Sequence, residues 1–372
     1  MDGQNVMGRW THKFSEKSEL SIQAYYDRTW RIDVPSSIDD QLHTYDIDIQ
    51  HNFRLAKRHN IVWGGGYRLM DDITWNRTPY VGFLPANRTM DLLSSFIQDE
   101  ITLLPEKVKL TLGTKLQHTN FTGFEFLPSA RLSWMPLTHH MIWSAVSRAV
   151  RAPSRIDVDY HIPAYEVPAN TPSVAGGPNF VSEKLIAYEL GYRIQPSANA
   201  SISLAAFYNS YDDLYSVEAL PETSTFQIQN GVKGHSYGTE ILGNFQLTTN
   251  WRIRAGYTYF MKNLKNKPGN LSDPSLLSTL GMDAKNQALI QSITDLPWNF
   301  SFDLTSRYLD ELPFTPYNSR VPSNITLDTR IAWKHKGFEL SIAGQNLLKK
   351  YHTELGDKQI QRGFYSRLTW RY

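Results

Sequence analysis

Hydrophobic and polar side chains alternate with a period of two along most of the chain. Ile331 and Trp333 fall on one face of their segment, for example, whereas Arg330 falls on the other. Ile253 and Arg254 occupy opposite faces in the same way. Because successive side chains of a strand point to opposite sides of a sheet, this pattern predicts strands with one apolar and one polar face. No segment shows three turns of an amphipathic helix, which argues against βαβ architectures.

The lengths of the strands and of their connections predict a transmembrane barrel. Turn signals divide the chain into roughly 17 strands of about 10–14 residues, longer than strands of soluble sheets and long enough to cross a bilayer at a tilt. Tight turns alternate with long connections, of which Ala152–Ser182 is the longest. Outer-membrane barrels place short turns on one rim and long loops on the other. We therefore predict an all-β fold, an antiparallel transmembrane β-barrel.

A soluble β-sandwich is the main structural alternative, since it also has period-two strands and turns rich in glycine and proline. Two features favour the barrel: the strand lengths, and the many charged residues on the polar faces, which suit a water-filled lumen.

Composition narrows the classes of function. Aromatic residues make up 13% of the chain, although all hydrophobic residues together reach only 41%. The 38 basic residues nearly balance the 36 acidic ones, so the positive excess typical of nucleic-acid binding is missing. The absence of cysteine excludes thiol catalysis, zinc–thiolate sites and iron–sulfur ligation. No run of about 18 apolar residues exists, which excludes a transmembrane helix and leaves the outer-membrane barrel.

The predicted strand number is odd, whereas bacterial single-chain barrels have even numbers. The alternation of connections makes the first strand a descending one, so that its neighbour would precede Met1. The first residues also lack the basic and apolar regions of a signal peptide. We therefore expect residues 1–372 to form the C-terminal part of a longer barrel.

Short motifs follow one another in a defined order through the last two thirds of the chain. They are Trp143–Arg155, Ser182-Glu183, Ala187–Arg193, Ala206–Asn209, Asn230-Gly231, Tyr237–Glu240, Ala255–Tyr259, Leu327–Arg330 and Gly344–Leu347. In order and spacing, this set resembles the barrel of the TonB-dependent outer-membrane receptors.

The resemblance implies a barrel of about 22 strands around an N-terminal plug, of which this chain would supply the last strands. The plug, about five strands and the motif that contacts TonB would be missing, so that TonB could be reached only through that missing region. The implied function is energised uptake of a scarce nutrient across the outer membrane of a Gram-negative bacterium. The ligand would be a small molecule, most often a ferric siderophore, with cobalamin or a glycan as other options. We expect a monomer in contact with outer-membrane lipid.

Three other functions stay open at this stage. A passive, porin-like channel would lack a plug and conduct ions constitutively. An adhesive surface barrel would use its long loops to bind another surface and would transport nothing. An outer-membrane enzyme would need a catalytic cluster, and we find no catalytic motif and predict no cofactor.

Candidate ligand-binding residues lie in two predicted long loops, 75–88 and 152–182. They are Trp75, Arg77, Tyr80, Arg155, Tyr160, His161 and Tyr165. Aromatic and cationic side chains together suit an anionic, ring-bearing metal chelate through cation–π contacts and charged hydrogen bonds. The same residue types are also common in any outer-surface loop or aromatic girdle.

Charged residues on the polar faces are assigned to the lumen. Glu189 and Glu240 lie opposite apolar neighbours in mid-strand, and a carboxylate facing lipid would cost a few kcal/mol. Their candidate partners are Arg193, Arg252, Arg254, Arg307 and Arg330. These arginines could equally pair with acids of a plug, or face water in the pore.

Leu368, Trp370 and Tyr372 alternate with polar residues and share the predicted lipid face, with Tyr372 at the interface. A terminal aromatic residue resembles the signal read by the barrel-assembly machinery. An ordinary last strand with a buried ring is the alternative.

No metal site is assigned. Two acidic pairs, Asp157/Asp159 and Asp212/Asp213, could contribute to calcium binding, but the sequence supplies too few other oxygen ligands beside them.

Overall fold

The computed structural model of the chain describes residues 1–32, 38–168, 171–221, 223–270, 272, 274–316 and 318–371. It consists almost entirely of β-structure, with 74% of residues in strands and 4% in helices. The predicted all-β fold class is confirmed. Within the described ranges, no helix is long and apolar enough to cross a membrane.

Long strands dominate the chain, with a few short ones between them. In order, the strands are β1 (Asp2–Ser15), β2 (Ser18–Ile32), β3 (Ile38–Leu55), β4 (His59–Asn76), β5 (Gly82–Phe83), β6 (Arg88–Leu104), β7 (Val108–Thr119), β8 (Gly123–Trp134), β9 (His140–Arg151), β10 (Tyr160–Ile162), β11 (Ser173–Ala175), β12 (Glu183–Ser197), β13 (Ala200–Ala219), β14 (Thr225–Thr248), β15 (Trp251–Asn266), β16 (Asn286–Leu296), β17 (Phe300–Leu309), β18 (Asn324–His335), β19 (Phe338–Gln345), β20 (Tyr351–Leu355), β21 (Lys358–Gln361) and β22 (Gly363–Trp370). The helices are α1 (Arg155–Asp159) and α2 (Pro274–Leu280), and Pro297–Asn299 forms one turn of 3-10 helix.

All strands except β5, β10, β11, β20 and β21 are long, and these seventeen long strands form one antiparallel meander. Each pairs with the next along the chain, from β1–β2 through to β19–β22. The predicted number of strands and their up-and-down order therefore agree with the structure.

The register of the strands aligns their apolar faces. Ile331 lies opposite Ile342 on the next strand. Trp333 lies opposite Leu340, which in turn lies opposite Leu368. A slip of one residue would turn each of these side chains to the other face, so the alternation in the sequence fixes the register. The side chains of this apolar face are exposed in the isolated chain, as expected of a surface that contacts lipid.

The two rims differ as the sequence predicts. Tight turns join the strands at one rim, and five of them contain residues with left-handed φ, which tight hairpins favour: Ala56, Glu106, His139, Trp298 with Asn299, and Lys336. The other rim, called the outer rim here, carries the long connections 77–87, 152–182, 267–285, 310–323 and 346–362. Its connection 120–122 is short, however, because β7 and β8 meet in a tight hairpin.

One predicted loop is wrong. The sequence indicates a long connection over 214–234, but β13 continues to Ala219 and β14 begins at Thr225. The register shifts on either side of Leu214, and Asp213 has a φ of 56°. Such bulges interrupt the alternation of side chains, and for this reason the sequence pattern did not indicate strands over these residues. The extended hairpin rises above the rest of the wall and buries Ile228 and Val232.

The sheet is open along two edges. Within the described residues, β1 pairs with β2 and β22 pairs with β19, and no pairing joins β22 to β1. Every residue of β1 is exposed. Among the described residues, neither edge is therefore covered by a further strand.

Candidate functional site

The two loops singled out from the sequence are joined in the structure. Tyr160 of β10 pairs with Phe83 of β5, and the main-chain N of Ala164 donates to the carbonyl of Pro79 at 2.9 Å. β10 also pairs with β11, which lies parallel to the outer end of β14. We call the joined segments, 77–87 and 152–182, the outer cap.

Arg155 holds the outer cap to the barrel wall. Its guanidinium donates hydrogen bonds to three side chains and two carbonyls: Asp159 Oδ2 (3.1 Å), Asp72 Oδ2 (3.0 Å), Thr74 Oγ1 (3.0 Å), Ala86 O (2.9 Å) and Pro85 O. The ring of Phe83 lies 4.6 Å from the guanidinium carbon. Arg155 is only 5% exposed, so it is a structural anchor in this arrangement and not a free cation for a ligand.

The position of Asp72 and Thr74 shows where the cap is attached. Both lie an even number of residues after Arg68 on β4, so the three side chains are on the same face of that strand. This is the polar face of the wall, where the Nε of Arg68 donates to Asp46 at 2.8 Å. The segment 152–182 leaves β9, which is separated from β4 by β6, β7 and β8. The cap therefore spans several strands along the inside of the outer rim.

A second set of ion pairs fixes the start of the cap. Arg151 lies between Asp157 (2.8 Å) and Glu183 (2.6 Å), and Arg88 pairs with Asp159 at 3.2 Å. The main-chain N and hydroxyl of Ser154 both donate to Asp157 Oδ2, at 2.7 and 2.8 Å. Ser154 precedes α1, where a side chain that pairs with the first turn favours the helix.

The pKa of Asp157 makes the cap sensitive to acid. Burial opposes ionisation of this carboxyl, but the hydrogen bonds from Arg151 and Ser154 outweigh it and lower the pKa below its ordinary 3.8. A carboxyl with a lowered pKa stabilises the fold above its unfolded pKa, and this stabilisation is lost as the pH falls through the folded pKa. The chain has no cysteine, so Tyr165→Cys provides a unique site for a spin label on the cap.

We expect that label to keep the same mobility from neutral pH down to about pH 4 and to become mobile below it. With Asp157→Asn in addition, it should be mobile at neutral pH already. Unchanged mobility at about pH 2 would contradict this role of Asp157.

The acids considered as calcium ligands are engaged with cations. Lys267 pairs with Asp212 at 2.9 Å and also with Asp213, which Lys184 approaches to 2.6 Å. The hydrogen bond from Lys267 lowers the pKa of Asp212. Burial opposes ionisation of Asp213, but hydrogen bonds from both lysines lower its pKa on balance. Among the described residues, no group of three or more His, Cys, Asp or Glu side chains is placed to hold a metal ion.

The remaining ligand-binding candidates separate into two places. Tyr80 and Tyr165 are exposed on the outer cap, by 76% and 54%. Tyr160 and His161 lie half-buried beneath them in β10, with His161 Nδ1 at 3.0 Å from the carbonyl of Asp159. The cap therefore presents an aromatic surface with an imidazole below it.

Trp75 and Arg77 lie elsewhere. Trp75 belongs to β4 and shares its apolar, outward face with Tyr67, at even spacing. Arg77 stacks over Trp75 at 6.0 Å, and its Nε donates to Asp39 at 2.6 Å. The expectation of one ligand-binding set is thus not met by these two residues, because β4 continues to Asn76 and turns Trp75 to the outside, and Arg77 follows it in contact with Trp75 and Asp39.

The charges on the polar face are paired differently from the expectation. Arg330 pairs with Asp303 at 3.1 Å and with Glu339, and Arg307 pairs with Asp328. These three acids were not among the predicted lumen charges, although they occupy polar positions in the alternation. In the described part of the chain, ion pairs are lacking for five of the predicted lumen charges: Glu189, Arg193, Glu240, Arg252 and Arg254.

Two of the three residues proposed as a C-terminal assembly signal, Leu368 and Trp370, lie in the last strand, β22. Leu368 lies opposite Leu340, and Trp370 stacks on Phe338 with ring centroids 6.0 Å apart. Both belong to the apolar face, whereas Tyr372 lies outside the described residues. Recognition of these residues by the barrel-assembly machinery stays a prediction.

Solved structures with the same fold include two receptors and an iron transporter. A ferric enterobactin receptor (PfeA) variant from Pseudomonas aeruginosa has a TM-score of 0.78 at 16% identity, with 98% of this chain and 62% of that chain covered. The FrpB iron transporter from Neisseria meningitidis has a TM-score of 0.77 at 12% identity, covering 98% and 63%. The siderophore receptor PirA from Pseudomonas aeruginosa has a TM-score of 0.71 at 16% identity, covering 99% and 64%. At these identities the likeness establishes the fold alone.

Sequence comparison gives a consistent result. An iron-regulated outer membrane virulence protein of Vibrio cholerae serotype O1 is 26% identical over 196 residues, which cover 50% of this chain and 29% of that protein. This chain thus spans about two thirds of the solved receptors or less, and matches a smaller part of the Vibrio protein. Residues 1–347 match the sequence profile described as "TonB dependent receptor-like, beta-barrel", and the chain therefore belongs to that family.

Proposed function

We propose that this chain is the barrel part of an outer-membrane receptor for the energised uptake of a ferric siderophore-type chelate. The observation that carries the proposal is the outer cap, in which two loops distant in sequence join and expose Tyr80 and Tyr165 above the inside of the rim. The names of the related proteins, which include an iron transporter and a siderophore receptor, support the same ligand class.

The cap provides the chemistry that such a ligand requires. Exposed tyrosine rings offer flat apolar contact together with hydroxyl groups that donate hydrogen bonds to anionic oxygens. The ion pairs of Arg155 and Arg151 hold the backbone in place before the ligand arrives, which reduces the entropy lost on binding. The cap would thus capture the chelate, and the wall would form the transport path.

Energy coupling is proposed to come from a plug and a TonB-contacting segment N-terminal to the seventeen strands. Two features support this arrangement: the two open edges of the sheet, and the coverage of only 62% of the PfeA receptor chain. In such an arrangement, further strands would close the barrel and the plug would fill the lumen. The barrel itself would work as a monomer inserted in outer-membrane lipid.

Removing both exposed rings should weaken capture of the chelate. We expect Tyr80→Ala with Tyr165→Ala to lower the affinity of outer membranes for a radioiron-labelled ferric siderophore by about tenfold to a hundredfold, because the rings contribute most of the contact area. Trp298→Ala is the matched control, since Trp298 is 84% exposed but lies in a tight turn at the opposite rim. Equal binding by the double variant and the control would contradict capture at the cap.

A further inference from the structure

A cavity of about 490 Å³ lies beside the extended hairpin of β13 and β14 and has no role in the proposed uptake. It is bounded by the segments 177–181, 227–231 and 267–270, together with Glu218. These segments are distant in sequence and lie in the connection 152–182, in β14 and in the connection 267–285, so the cavity exists only in the folded arrangement. Its volume suits a small organic molecule.

Five of the residues that line this cavity carry neutral side-chain amides: Asn179, Gln227, Gln229, Asn230 and Asn270. Asn230 is committed to the fold, since its Oδ1 accepts from the main-chain N of Val181 at 2.8 Å and its Nδ2 donates to the carbonyl of Asp213. Asn270 Nδ2 similarly donates to the carbonyl of Gly231 at 2.6 Å. The side-chain amides of Asn179 and Gln229, by contrast, have no hydrogen-bond partner in the part of the chain that the structure describes, and they are available to a polar ligand.

Glu218 is the charged group of the cavity, and it is only 8% exposed. Its Oε1 accepts a hydrogen bond from the hydroxyl of Ser216 at 2.7 Å. Across the described ranges, no lysine or arginine forms an ion pair with it. Lys267 also lines the cavity, but its ammonium group is already bound to Asp212 at 2.9 Å and to Asp213.

This leaves a nearly buried carboxylate without a counter-charge. Burying an ionised carboxylate is costly unless a cation or several hydrogen-bond donors compensate it, and Ser216 supplies a single donor. The neighbouring charges do not compensate it either, because Lys184 and Lys267 are matched by Asp212 and Asp213. Within the described residues, the cavity therefore contains one carboxylate, that of Glu218, without an ion-pair partner.

Gly231 shows that the carboxylate is held in a defined place. A Cβ atom at this position would overlap both Glu218 Oε1 and Asn270 Nδ2. The carboxylate consequently packs directly against the main chain of β14 and is not a mobile surface group. A fixed, uncompensated charge inside a cavity is the arrangement of a binding site rather than of a solvated face.

We propose that this cavity binds a small polar molecule that carries an ammonium group, with Glu218 as the counter-charge and Asn179 and Gln229 as hydrogen-bonding partners for its neutral part. An ammonium group offers three donors, which suits one carboxylate surrounded by amide oxygens. A calcium ion would need six to eight oxygen ligands, several of them charged. The proposal is independent of the uptake of a ferric chelate, since it uses no residue of the outer cap's aromatic surface.

A matched pair of ligands tests the proposal. Glucosamine carries an ammonium group, whereas N-acetylglucosamine has the same ring with a neutral amide in its place. Saturation-transfer NMR with isolated outer membranes that contain this chain, extended by the strands and plug of a family member, should show binding of glucosamine and much weaker binding of N-acetylglucosamine. Equal signals from both sugars, or no signal from glucosamine, would overturn the proposal without any variant.

Two variants place the binding in the cavity. Glu218→Gln keeps the size of the side chain and removes its charge, and should lower the affinity for glucosamine by about tenfold or more. Gln229→Ala should lower the affinities for both sugars alike, while Glu16→Gln, in a turn at the opposite rim, should change neither. Unchanged binding of glucosamine by Glu218→Gln would overturn the proposal. It would also be overturned if calcium ions, added as calcium chloride, bind in a way that depends on Glu218 while glucosamine does not bind. Uptake of the ferric chelate should be unaffected by Glu218→Gln, so failure of either proposal can be told from failure of the other.

Discussion

Arg155→Ala is expected to detach the outer cap from the barrel wall and to reduce capture of the ferric chelate to background. The variant removes every hydrogen bond from the guanidinium and leaves Asp72 and Asp159 without their shared cation in a buried place. Removing one partner of a buried ion pair costs about 3–5 kcal/mol, far more than the loss of an exposed pair. That cost falls on the contacts that join the cap to β4, whereas the strands of the wall pair without Arg155, so the cap should open at β4 while the barrel stays folded.

The expected result is a large, local loss of order. Proteolysis at neutral pH should cleave Arg155→Ala within residues 152–182 and leave the strands intact. Arg155→Lys should rescue little, because an ammonium group cannot reproduce the forked contacts of a guanidinium. Arg320→Ala is the matched control: Arg320 forms an exposed pair with Glu311 on another outer loop, and its removal should change neither cleavage nor capture. A protected cap in Arg155→Ala would contradict the anchoring role.

Residues 1–372 produced alone should fail to form a stable barrel in a membrane. The sheet has an open edge at β1 and another at β22, and each presents a row of main-chain groups without partners. In lipid, every unsatisfied main-chain group costs several kcal/mol, which is why membrane sheets close on themselves. Summed along two strands, this cost exceeds the stability of an ordinary domain, about 5–15 kcal/mol.

Electrophoresis with and without heating measures this directly, because folded outer-membrane barrels migrate differently before and after denaturation. We expect a single, unshifted band and rapid proteolysis for residues 1–372 in detergent or lipid. The control is the same chain extended by the strands and plug of a family member, which should recover the heat-dependent shift. A heat-modifiable, protease-resistant barrel formed by residues 1–372 alone would show that the edges meet or find another partner.

The wall of the barrel could be predicted from sequence because its determinants are local. The alternation around Trp333 fixes both the strand and the face that it presents, and the register to β19 follows from the tight turn at Lys336. The prediction failed where a bulge broke this period: the shift beside Asp213 hid the outer half of the hairpin β13–β14. A bulge adds a residue to one strand but not to the strand that pairs with it. The sequence of one strand does not show its register with the other, so the extra residue cannot be recognised from it.

The candidate site could be predicted only in part, since its contacts join residues distant in sequence. Tyr80 and Tyr165 were found because aromatic residues in long loops stand out in the sequence, but nothing local indicates that their loops pair. The role of Arg155 depends on Asp72, which lies on a strand separated from the loop by three others. The cavity at Glu218 was missed altogether, because its residues lie in segments that the alternation assigned to a loop.

The receptor hypothesis is tested most directly by the uptake of radioiron-labelled ferric enterobactin, the chelate for which the related PfeA receptor is named. Iron-limited cells that produce this chain, extended by the strands, plug and TonB-contacting segment of a family member, would be compared in two backgrounds, one with a functional TonB and one without it. We predict accumulation inside the cell only when TonB is present, with surface binding alone in its absence. Equal accumulation in both backgrounds would indicate a passive channel, and binding without accumulation in either would indicate an adhesive barrel; both results would contradict energised uptake.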